Sequence, residues 1–383
     1  MQKHLAHKHR LLRRVRRAVV KVGSSILSGP HGINRDRVRS LAGEICALHA
    51  GGIQVVVVSS GAVAAGMARL GLNERPKTVP QRQAAAAVGQ IDLMALYVEY
   101  FALHKTQVAQ ILLTHDDLAN RSRYLNARHT IETLLANAVV PVANENDTVV
   151  IDELMNFGDN DNLSALIAGL VEADLLVLLS DVAGLYTKDP RTHDDAELVS
   201  VVDDPIRSTS AYVLDGKGPL GTGGMASKLG AAKKAAAAGI ATVIADGLHG
   251  GVLPAVFDVR QAIGTLILPT GDRLARRKHW IAYTLKPAGS LVVDQGAYEA
   301  ITRRGRSLLP KGLQAVEGKF RTGECVRCLG PDGHEFARGL VNYSAAELDQ
   351  IKGMHSARIE SVLGYKLTEE VIHRNDLVVL SPP

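Results

Sequence analysis

The chain alternates between short apolar runs and longer alanine-rich stretches over residues 17–268. The runs are too apolar for strands with one face in water, and they favour a parallel sheet that is covered by helices on both faces. We predict strands at seven runs, which are Ala18–Val22, Gln54–Val58, Gln107–Leu113, Val139–Ala143, Leu175–Leu179, Ala241–Ala245 and Thr265–Leu268. Helices are predicted at residues 35–50, 62–70, 81–104, 123–137, 163–172 and 226–238. This β-α-β order predicts an α/β protein with an open, mostly parallel sheet and helices on both faces.

The alternation stops near Pro269, and a different pattern follows it. Residues 269–285 contain proline, glycine and a basic cluster, as linkers often do. Beyond them, glycines separate short strand-like segments, which are Ser290–Val293, Ala315–Glu317, Glu324–Cys328, Glu335–Gly339 and Leu377–Leu380. We predict an extension at residues 1–16, an α/β domain at 17–268, a linker at 269–285 and a small β-rich domain at 286–383.

The composition is that of a protein with a large core, because 46% of the 383 residues are hydrophobic. No apolar run reaches the length of a membrane span, so we expect a soluble, cytoplasmic protein with no membrane partner. Residues 1–17 carry seven of the 44 basic residues and no acid, which leaves 37 bases against 39 acids elsewhere. We expect this basic extension to be disordered, and contact with RNA or a membrane surface is the alternative.

The three cysteines do not indicate a disulfide framework. Cys325 and Cys328 form a C-x-x-C pair, but a zinc ion needs four ligands and only His334 lies nearby in the sequence. We therefore expect reduced thiols and no protein-bound metal, with a metal or redox role as the alternative.

Polar residues follow the predicted strands, at the edge where open parallel sheets bind their ligands. The first strand runs into Lys21 near its end and then into the small residues Gly23–Ser25, whose backbone amides suit an anion. A solvated lysine is the alternative there. Ser60 follows the second strand, where a serine suits both a helix cap and a close approach of ligand. Ser180 and Asp181 follow the fifth strand and suit the ribose and base of a nucleotide.

Two clusters rich in Asn and acidic residues lie close together in the sequence, at Asn144–Asp147 and Gly158–Asn162. The second cluster opens a predicted helix, where one Asp or Asn would suffice as a cap. Because the clusters supply many more polar side chains than a cap requires, we predict a binding site rather than caps alone.

The segment Gly221–Lys228 reads GTGGMASK and resembles a phosphate-binding loop. It does not match the P-loop pattern, since Ala226 replaces the second glycine and no strand leads directly into it. Lys228 falls in the first turn of a predicted helix, where the helix dipole opposes a cation, so it is better placed beside a bound anion. We predict an anion-binding loop, with a flexible surface loop as the alternative.

Taken together, eight segments are similar to those of the amino acid kinase family, and they are VVKVGSSIL, VVVVSSGAVAAG, AAVGQ, RYLNAR, PVANENDTV, GDNDNLSAL, LLSDVAGLYTKDPR and GTGGMASKL. The resemblance begins near residue 17 and is greatest to the members that phosphorylate the side chain of glutamate. The segments GSLVVDQGA, SLLPKG and ARGLVNYSAAEL resemble a PUA domain. An amino acid kinase fold followed by a PUA-like domain is therefore expected.

The resemblance implies phosphorylation of the γ-carboxylate of L-glutamate by ATP with Mg²⁺, which gives L-glutamyl 5-phosphate in the first step of proline biosynthesis. It implies that the catalytic residues are Lys21, Asp161 and Lys228. The two lysines would contact the transferring phosphoryl group, and the aspartate would hold them in position. The implied glutamate-binding residues are Ser60, Asp147 and Asn160. The implied ATP-binding residues are Lys21, Ser180, Asp181, Thr222, Gly223, Gly224, Met225, Ala226, Ser227 and Lys228.

The same resemblance implies feedback inhibition by proline and assembly into a homo-oligomer. Two other functions stay open on the sequence alone. One is a related kinase that acts on aspartate, acetylglutamate, carbamate or a nucleoside monophosphate. The other is an RNA-binding protein that acts through the PUA-like domain, whose basic cluster is Arg303, Arg304, Arg306 and Lys311.

Overall fold

The computed structural model describes residues 2–29, 32–149, 160–190, 192–203, 205, 224–269 and 287–380. Contacts between residues divide the chain into two compact units. The first unit comprises residues 1–118 and 127–270, and the second comprises residues 119–126 and 271–383.

A central sheet of eight strands organises the first unit. The strands of this unit are β1 (Arg17–Val22), β2 (Ser28–Gly29), β3 (Gly32–Ile33), β4 (Gln54–Val58), β5 (Val108–Leu113), β6 (Val140–Glu145), β7 (Leu175–Ser180), β8 (Val201–Val202), β9 (Ala241–Asp246) and β10 (Thr265–Ile267). The sheet order is β5-β6-β4-β1-β7-β9-β10-β8, and β2 and β3 form a separate antiparallel pair. Six neighbouring strands from β5 to β9 run parallel, whereas β10 runs antiparallel to β9.

Helices connect these strands. They are α1 (Gln2–Leu12), α2 (Ser24–Leu27), α3 (Arg35–Ala50), α4 (Ala62–Arg69), α5 (Val79–Ala102), α6 (His115–Ala119), α7 (Arg121–Ala136), α8 (Asn160–Leu170), α9 (Met225–Ala237) and α10 (Val252–Phe257). Strands β1 and β7 lie in the middle of the sheet and are buried almost throughout, because both of their faces are covered. The predicted α/β fold with a mostly parallel sheet is confirmed, and the carboxyl ends of its parallel strands meet at one edge.

Helices α4 and α5 pack with their backbones in very close approach, and two glycines allow it. A Cβ atom at Gly66 would lie 1.7 Å from the carbonyl oxygen of Ala85, and one at Gly89 would lie 1.9 Å from that of Ala62. Gly61 is the N-cap of α4 and directly follows Ser60. Its φ of 95° is a backbone conformation that favours glycine. The helix pair therefore fixes the turn that carries Ser60.

The structure adds elements that the sequence analysis did not predict. The β2–β3 pair and β8 contain only two residues per strand, too few for a periodic pattern, and α2 and α10 are similarly short. The expectation of a disordered extension is wrong for residues 2–12, which form α1. Leu11 and Leu12 pack against the core of the first unit, and the Lys8 ammonium donates to the carbonyl oxygens of Ala255 at 2.8 Å and Gln261 at 2.5 Å.

Burial lowers the pKa of Lys8 to about 8, against an opposing effect of Asp258. Among the helices of the described residues, none is both long and apolar enough to cross a membrane.

A five-stranded sheet forms the core of the second unit. Its strands are β11 (Gly289–Val293), β12 (Leu313–Gly318), β13 (Cys325–Leu329), β14 (Glu335–Leu340) and β15 (Leu377–Val379), in the order β12-β11-β13-β14-β15. Within residues 287–380, the α-helices are α11 (Gln295–Arg304), α12 (Ala345–Ile351) and α13 (Ile359–Leu363). The five predicted segments are confirmed as strands, and the helices were not predicted.

Cys325 and Cys328 are buried in this unit and form no disulfide among the described residues, and burial raises the pKa of both thiols. The predicted linker lies outside the described residues except for Pro269, and the domain boundaries stay predictions.

Candidate active site

Three buried charges meet at the carboxyl edge of the central sheet. Lys21 lies near the end of β1, Asp161 lies in the first turn of α8, and Lys228 lies in the first turn of α9. The Lys21 ammonium is 2.5 Å from Asp161 Oδ1, and the Lys228 ammonium is 3.4 Å from Asp161 Oδ2. Each side chain is less than 10% exposed. The structure therefore brings together the three residues that the sequence analysis assigned to catalysis, although they are distant in the sequence.

The charges of this group depend on one another. Burial by itself would raise the pKa of Asp161, but Lys21 and Lys228 hold that pKa below its ordinary value. The N-terminus of α8 also favours a negative charge at this position, whereas the N-terminus of α9 disfavours the charge of Lys228. The ionised group of two lysines and one aspartate carries a net charge of +1, so it is suited to an incoming anion.

Ser60 belongs to a hydrogen-bonded network of amide side chains. The Asn160 amide donates to Ser60 Oγ and to Asn144 Oδ1, both at 3.1 Å, and the Asn144 amide donates to Gln90 Oε1 at 2.8 Å. Within the described part of the chain, Asn160 Oδ1 is buried and has no hydrogen-bond partner. A buried acceptor without a donor is costly, so this oxygen is suited to a ligand that brings an N–H group.

Asp147 lies just beyond β6 and is half-buried. Burial, together with the nearby Glu145, raises the pKa of Asp147 to about 7. Within the described residues Asp147 makes no hydrogen bond to Ser60 or Asn160, so the structure brings two of the three predicted glutamate ligands into direct contact and leaves Asp147 outside that contact. A carboxyl group with a raised pKa in a site of this kind gains from a bound cation.

Ser180 and Asp181, which are predicted to bind the nucleotide, lie where β7 ends, next to the end of β9. Ser180 is buried at the end of β7, and its hydroxyl donates to Asp181 Oδ1 at 3.2 Å. The Gly247 amide, which follows β9, donates to the carbonyl oxygen of Ser180 at 2.7 Å. Parallel pairing of β7 with β9 thus keeps these two strand ends together.

The GTGGMASK segment is described only from Gly224 onward, and Thr222 and Gly223 lie outside the described residues. Gly224 is the N-cap of α9, and Met225, Ala226, Ser227 and Lys228 form its first turn. Glycine at the cap leaves no side chain over the helix N-terminus, which is an arrangement that favours anions.

Sequence reasoning missed several residues that support the site. Gln90 orients Asn144, and Tyr97 shares a 3.0 Å hydrogen bond with Ser59 Oγ. Both residues lie within α5, and the sequence analysis searched for site residues only near the ends of predicted strands and at the starts of helices. Gln90 had one visible signal, since it ends the AAVGQ segment.

Comparison with known protein families gives two matches. The model of the amino acid kinase family matches residues 16–246, which is more than half of the chain. The model of the PUA domain matches residues 289–363.

Curated relatives match nearly the full length of the chain. Glutamate 5-kinase of Geobacter sp. (strain M21) is 53% identical over 371 residues, which are 97% of this chain and 99% of the relative. Glutamate 5-kinase of Geobacter sulfurreducens is 51% identical with the same coverage. Glutamate 5-kinase of Chromohalobacter salexigens is 50% identical, covering 96% of this chain and 97% of the relative. Among solved structures, a UMP kinase from Bacillus anthracis is similar with a TM-score of 0.47 and 16% identity, over 67% of this chain and 97% of that one.

Proposed function

The chain belongs to the amino acid kinase family, and we propose that it transfers the terminal phosphoryl group of ATP to the γ-carboxylate of L-glutamate. The product is L-glutamyl 5-phosphate, and the reaction is the first step of proline biosynthesis. Glutamate 5-kinases that match almost the whole chain at about 50% identity support this substrate. The observation that carries the mechanism is the buried group of Lys21, Asp161 and Lys228.

The acceptor needs no general base in this reaction. A glutamate side chain has a pKa of about 4.3, so its carboxylate is already an anion at neutral pH. The difficulty is the repulsion between this anion and the phosphate that it attacks, which amounts to roughly 4 kcal/mol for two unit charges about 4 Å apart at an effective dielectric of 20. Cations that are aimed at the transferring group reduce this repulsion most where charge develops in the transition state.

Lys21 and Lys228 supply those cations, and Asp161 holds them. Because Asp161 binds one lysine through each carboxylate oxygen, it keeps two like charges close together before substrate arrives. The lysines therefore require little reorganisation during the reaction, which is the property that makes fixed charges effective catalysts. Asp161 itself does not receive a proton in this scheme.

The amino acid is held at the ends of β4 and β6. We assign the α-carboxylate of glutamate to the Ser60 hydroxyl and neighbouring amides, and its ammonium group to Asp147 and Asn160 Oδ1. The unpartnered Asn160 oxygen supports this assignment, since an ammonium donor would satisfy it. The raised pKa of Asp147 supports it as well, since a bound cation stabilises the carboxylate that burial disfavours.

ATP is assigned to the other half of the edge, with Ser180 and Asp181 facing the nucleoside and residues 222–228 facing the phosphates. A kinase that uses ATP requires a divalent metal, and we propose Mg²⁺. Mg²⁺ characteristically binds through substrate phosphates and one or two carboxylates, so we propose that the nucleotide phosphates hold most of this ion. When bound, this ion neutralises phosphate charge during transfer.

Trapping of the product tests the proposed function. Hydroxylamine attacks the acyl carbon of glutamyl phosphate, displaces phosphate and leaves a hydroxamate that is measured by its colour with iron. We expect hydroxamate only when L-glutamate, ATP and a divalent metal are all present. Aspartate, acetylglutamate and carbamate serve as competing acceptors, and a higher rate with any of them would contradict the proposal.

Inhibition by proline is proposed at the same amino acid site, because proline shares the α-carboxylate and ammonium groups of glutamate. Initial rates at several proline concentrations test it. Competition requires the apparent KM for glutamate to rise while kcat stays constant, and a fall in kcat alone would place proline elsewhere.

A further inference from the structure

We propose that Arg37, on α3, is a positioning residue for the ATP half of the active site. It acts through the segment Gly247–Leu253, which joins β9 to α10 and which we call the β9 loop. The inference rests on the proposed function, because it takes Ser180 and Asp181 to face ATP. Arg37 itself touches neither substrate.

Arg37 is an arginine buried to 5% exposure, and its contacts reach the start of the β9 loop. Its Nε donates to the carbonyl oxygen of Gly247 at 2.6 Å. Its Nη1 donates to Ser40 Oγ and to Glu44 Oε1, both at 3.1 Å. A buried guanidinium is unfavourable unless it is paired and hydrogen-bonded, and here the pairing carboxylate comes from the same helix, two turns later.

Glu44 holds the other end of the β9 loop. Its Oε1 accepts from the Gly251 amide at 3.0 Å, and its Oε2 accepts from the Leu253 amide at 2.9 Å. Glu44 thus satisfies amides at the start of α10, as a capping carboxylate does. Together, Arg37 and Glu44 attach both ends of the β9 loop to a single helix.

Gly247 connects this attachment to the active-site edge. Its amide donates to the carbonyl oxygen of Ser180 at 2.7 Å. A Cβ atom at Gly247 would lie 2.5 Å from Ile26 Cδ1 and 2.8 Å from Leu179 Cβ, so the backbone there is packed without free space. Ile26 lies in α2, which follows Lys21 along the chain, and Leu179 directly precedes Ser180. A shift of Gly247 would therefore displace both neighbouring strand ends.

The simpler explanation is that Arg37 and Glu44 only stabilise α10. Capping requires Glu44 alone, however, and Gly247, which Arg37 binds, lies four and six residues before the two capped amides. The two explanations differ in what they predict for catalysis. Stabilisation alone changes the unfolding transition and leaves the KM values unchanged, whereas positioning changes the KM for ATP selectively.

The test compares two variants of the full-length chain, Arg37→Met and the double variant Arg37→Met/Glu44→Gln. The single variant leaves the Glu44 charge buried without its ion pair and therefore has the lower stability. The double variant removes both charges and keeps one of the two acceptor oxygens for the amides of Gly251 and Leu253. We expect the KM for ATP to rise about tenfold in both, since small misplacements of a binding edge have large kinetic effects. We expect the KM for glutamate to stay within about twofold of wild type, because residues on β4, β6 and α8 contact the amino acid.

Arg39→Met is the matched control, because Arg39 is exposed on the same helix and is expected to leave both KM values unchanged. Thermal unfolding is measured for every variant. The proposal is overturned if the double variant has wild-type KM values, or if the KM for glutamate rises as much as that for ATP. Failure of the proposed function is a separate outcome, since wild-type protein would then make no hydroxamate from glutamate.

Discussion

In the proposed mechanism, Lys21 and Lys228 are the residues on which phosphoryl transfer most directly depends. Both contact the same carboxylate, so removal of one lysine leaves Asp161 paired with the other. Removal of one lysine can therefore affect stability and catalysis to different extents. The fold retains a counter-ion for Asp161, which limits the loss of stability, while the transition state loses a cation.

We therefore predict that Lys21→Ala and Lys228→Ala each lower kcat by about 10²- to 10³-fold, the range observed for loss of one preorganised donor to a developing charge. The thermal midpoint should change much less than for removal of Asp161. Lys233→Ala is the control, because Lys233 is exposed on the same helix as Lys228. Steady-state kinetics together with thermal unfolding check this, and a variant of either lysine with wild-type turnover would remove it from the mechanism.

The raised pKa of Asp147 leads to a prediction for the pH dependence of kcat/KM for glutamate. Its folded pKa is about 7, above the ordinary value, because burial and Glu145 disfavour the carboxylate. Below pH 7 the residue is protonated in the free enzyme and loses its attraction for an ammonium group. We expect kcat/KM for glutamate to fall about tenfold per pH unit below this pKa and to level off above it, because kcat/KM follows ionisations of the free enzyme.

The substrate itself does not titrate between pH 6 and 8, so the profile reports the enzyme. Asp147→Asn should abolish the inflection and lower kcat/KM for glutamate at pH 8. The KM for ATP over the same range is the internal control. An unchanged inflection in the variant would assign the ionisation to another group.

At the scale of elements, the contact between α4 and α5 sets the position of Ser60. We predict that Gly89→Ala lowers the free energy of unfolding by about 1–3 kcal/mol, because its methyl group would overlap the backbone of Ala62 and force the helices apart. The KM for glutamate should rise as the Ser60 turn moves. Gly169→Ala on α8 is the control, since nothing lies within 4 Å of its added Cβ and alanine favours a helix there. Equal stability of the two variants would show that α4 and α5 separate at little cost.

The elements that the sequence predicted correctly are those with a strong local signal. Strands such as β1 and β7 are mostly apolar because both faces are buried, and this leaves a recognisable run in the sequence even where polar residues such as Lys21 and Ser180 occur near the strand end. The antiparallel direction of β10 has no such signal, since an apolar run does not encode direction. A strand such as β8 was not predicted because its two residues are too few to form a recognisable pattern.

The site follows the same division. Lys21, Ser60 and Ser180 were found because they lie at or just beyond the carboxyl ends of strands of a parallel sheet, and topology then brings them to one edge. Gln90 lies in the middle of α5 and Arg37 lies in the first turn of α3, and only tertiary packing makes these two residues neighbours of the site. Their contacts span 54 and 210 positions in the sequence, so no local pattern contains them.

At the scale of the whole molecule, α1 extends the first unit beyond the part that matches the family model, which begins at residue 16. We predict that Lys8→Met lowers the free energy of unfolding by about 1–3 kcal/mol through loss of two hydrogen bonds. Turnover should stay at the wild-type value, because α1 contributes no residue to the proposed site. Arg10→Met is the control, since Arg10 is exposed on the same helix. Equal unfolding curves for the two variants would show that α1 does not stabilise the unit.

The central place of β1 has a consequence for the synthesis of the chain. β1 pairs on one side with β4, but on the other side Val19 pairs with Leu176, and 176 − 19 gives a separation of 157 residues. At about 5–20 residues per second, a ribosome needs roughly 8–30 s to make that length. During this time the nascent chain carries an apolar strand with one edge unpaired, a state that exposes it to aggregation. Lys228 is synthesised later still, so the last of the three proposed catalytic residues is made only after both strands that pair with β1 have been made.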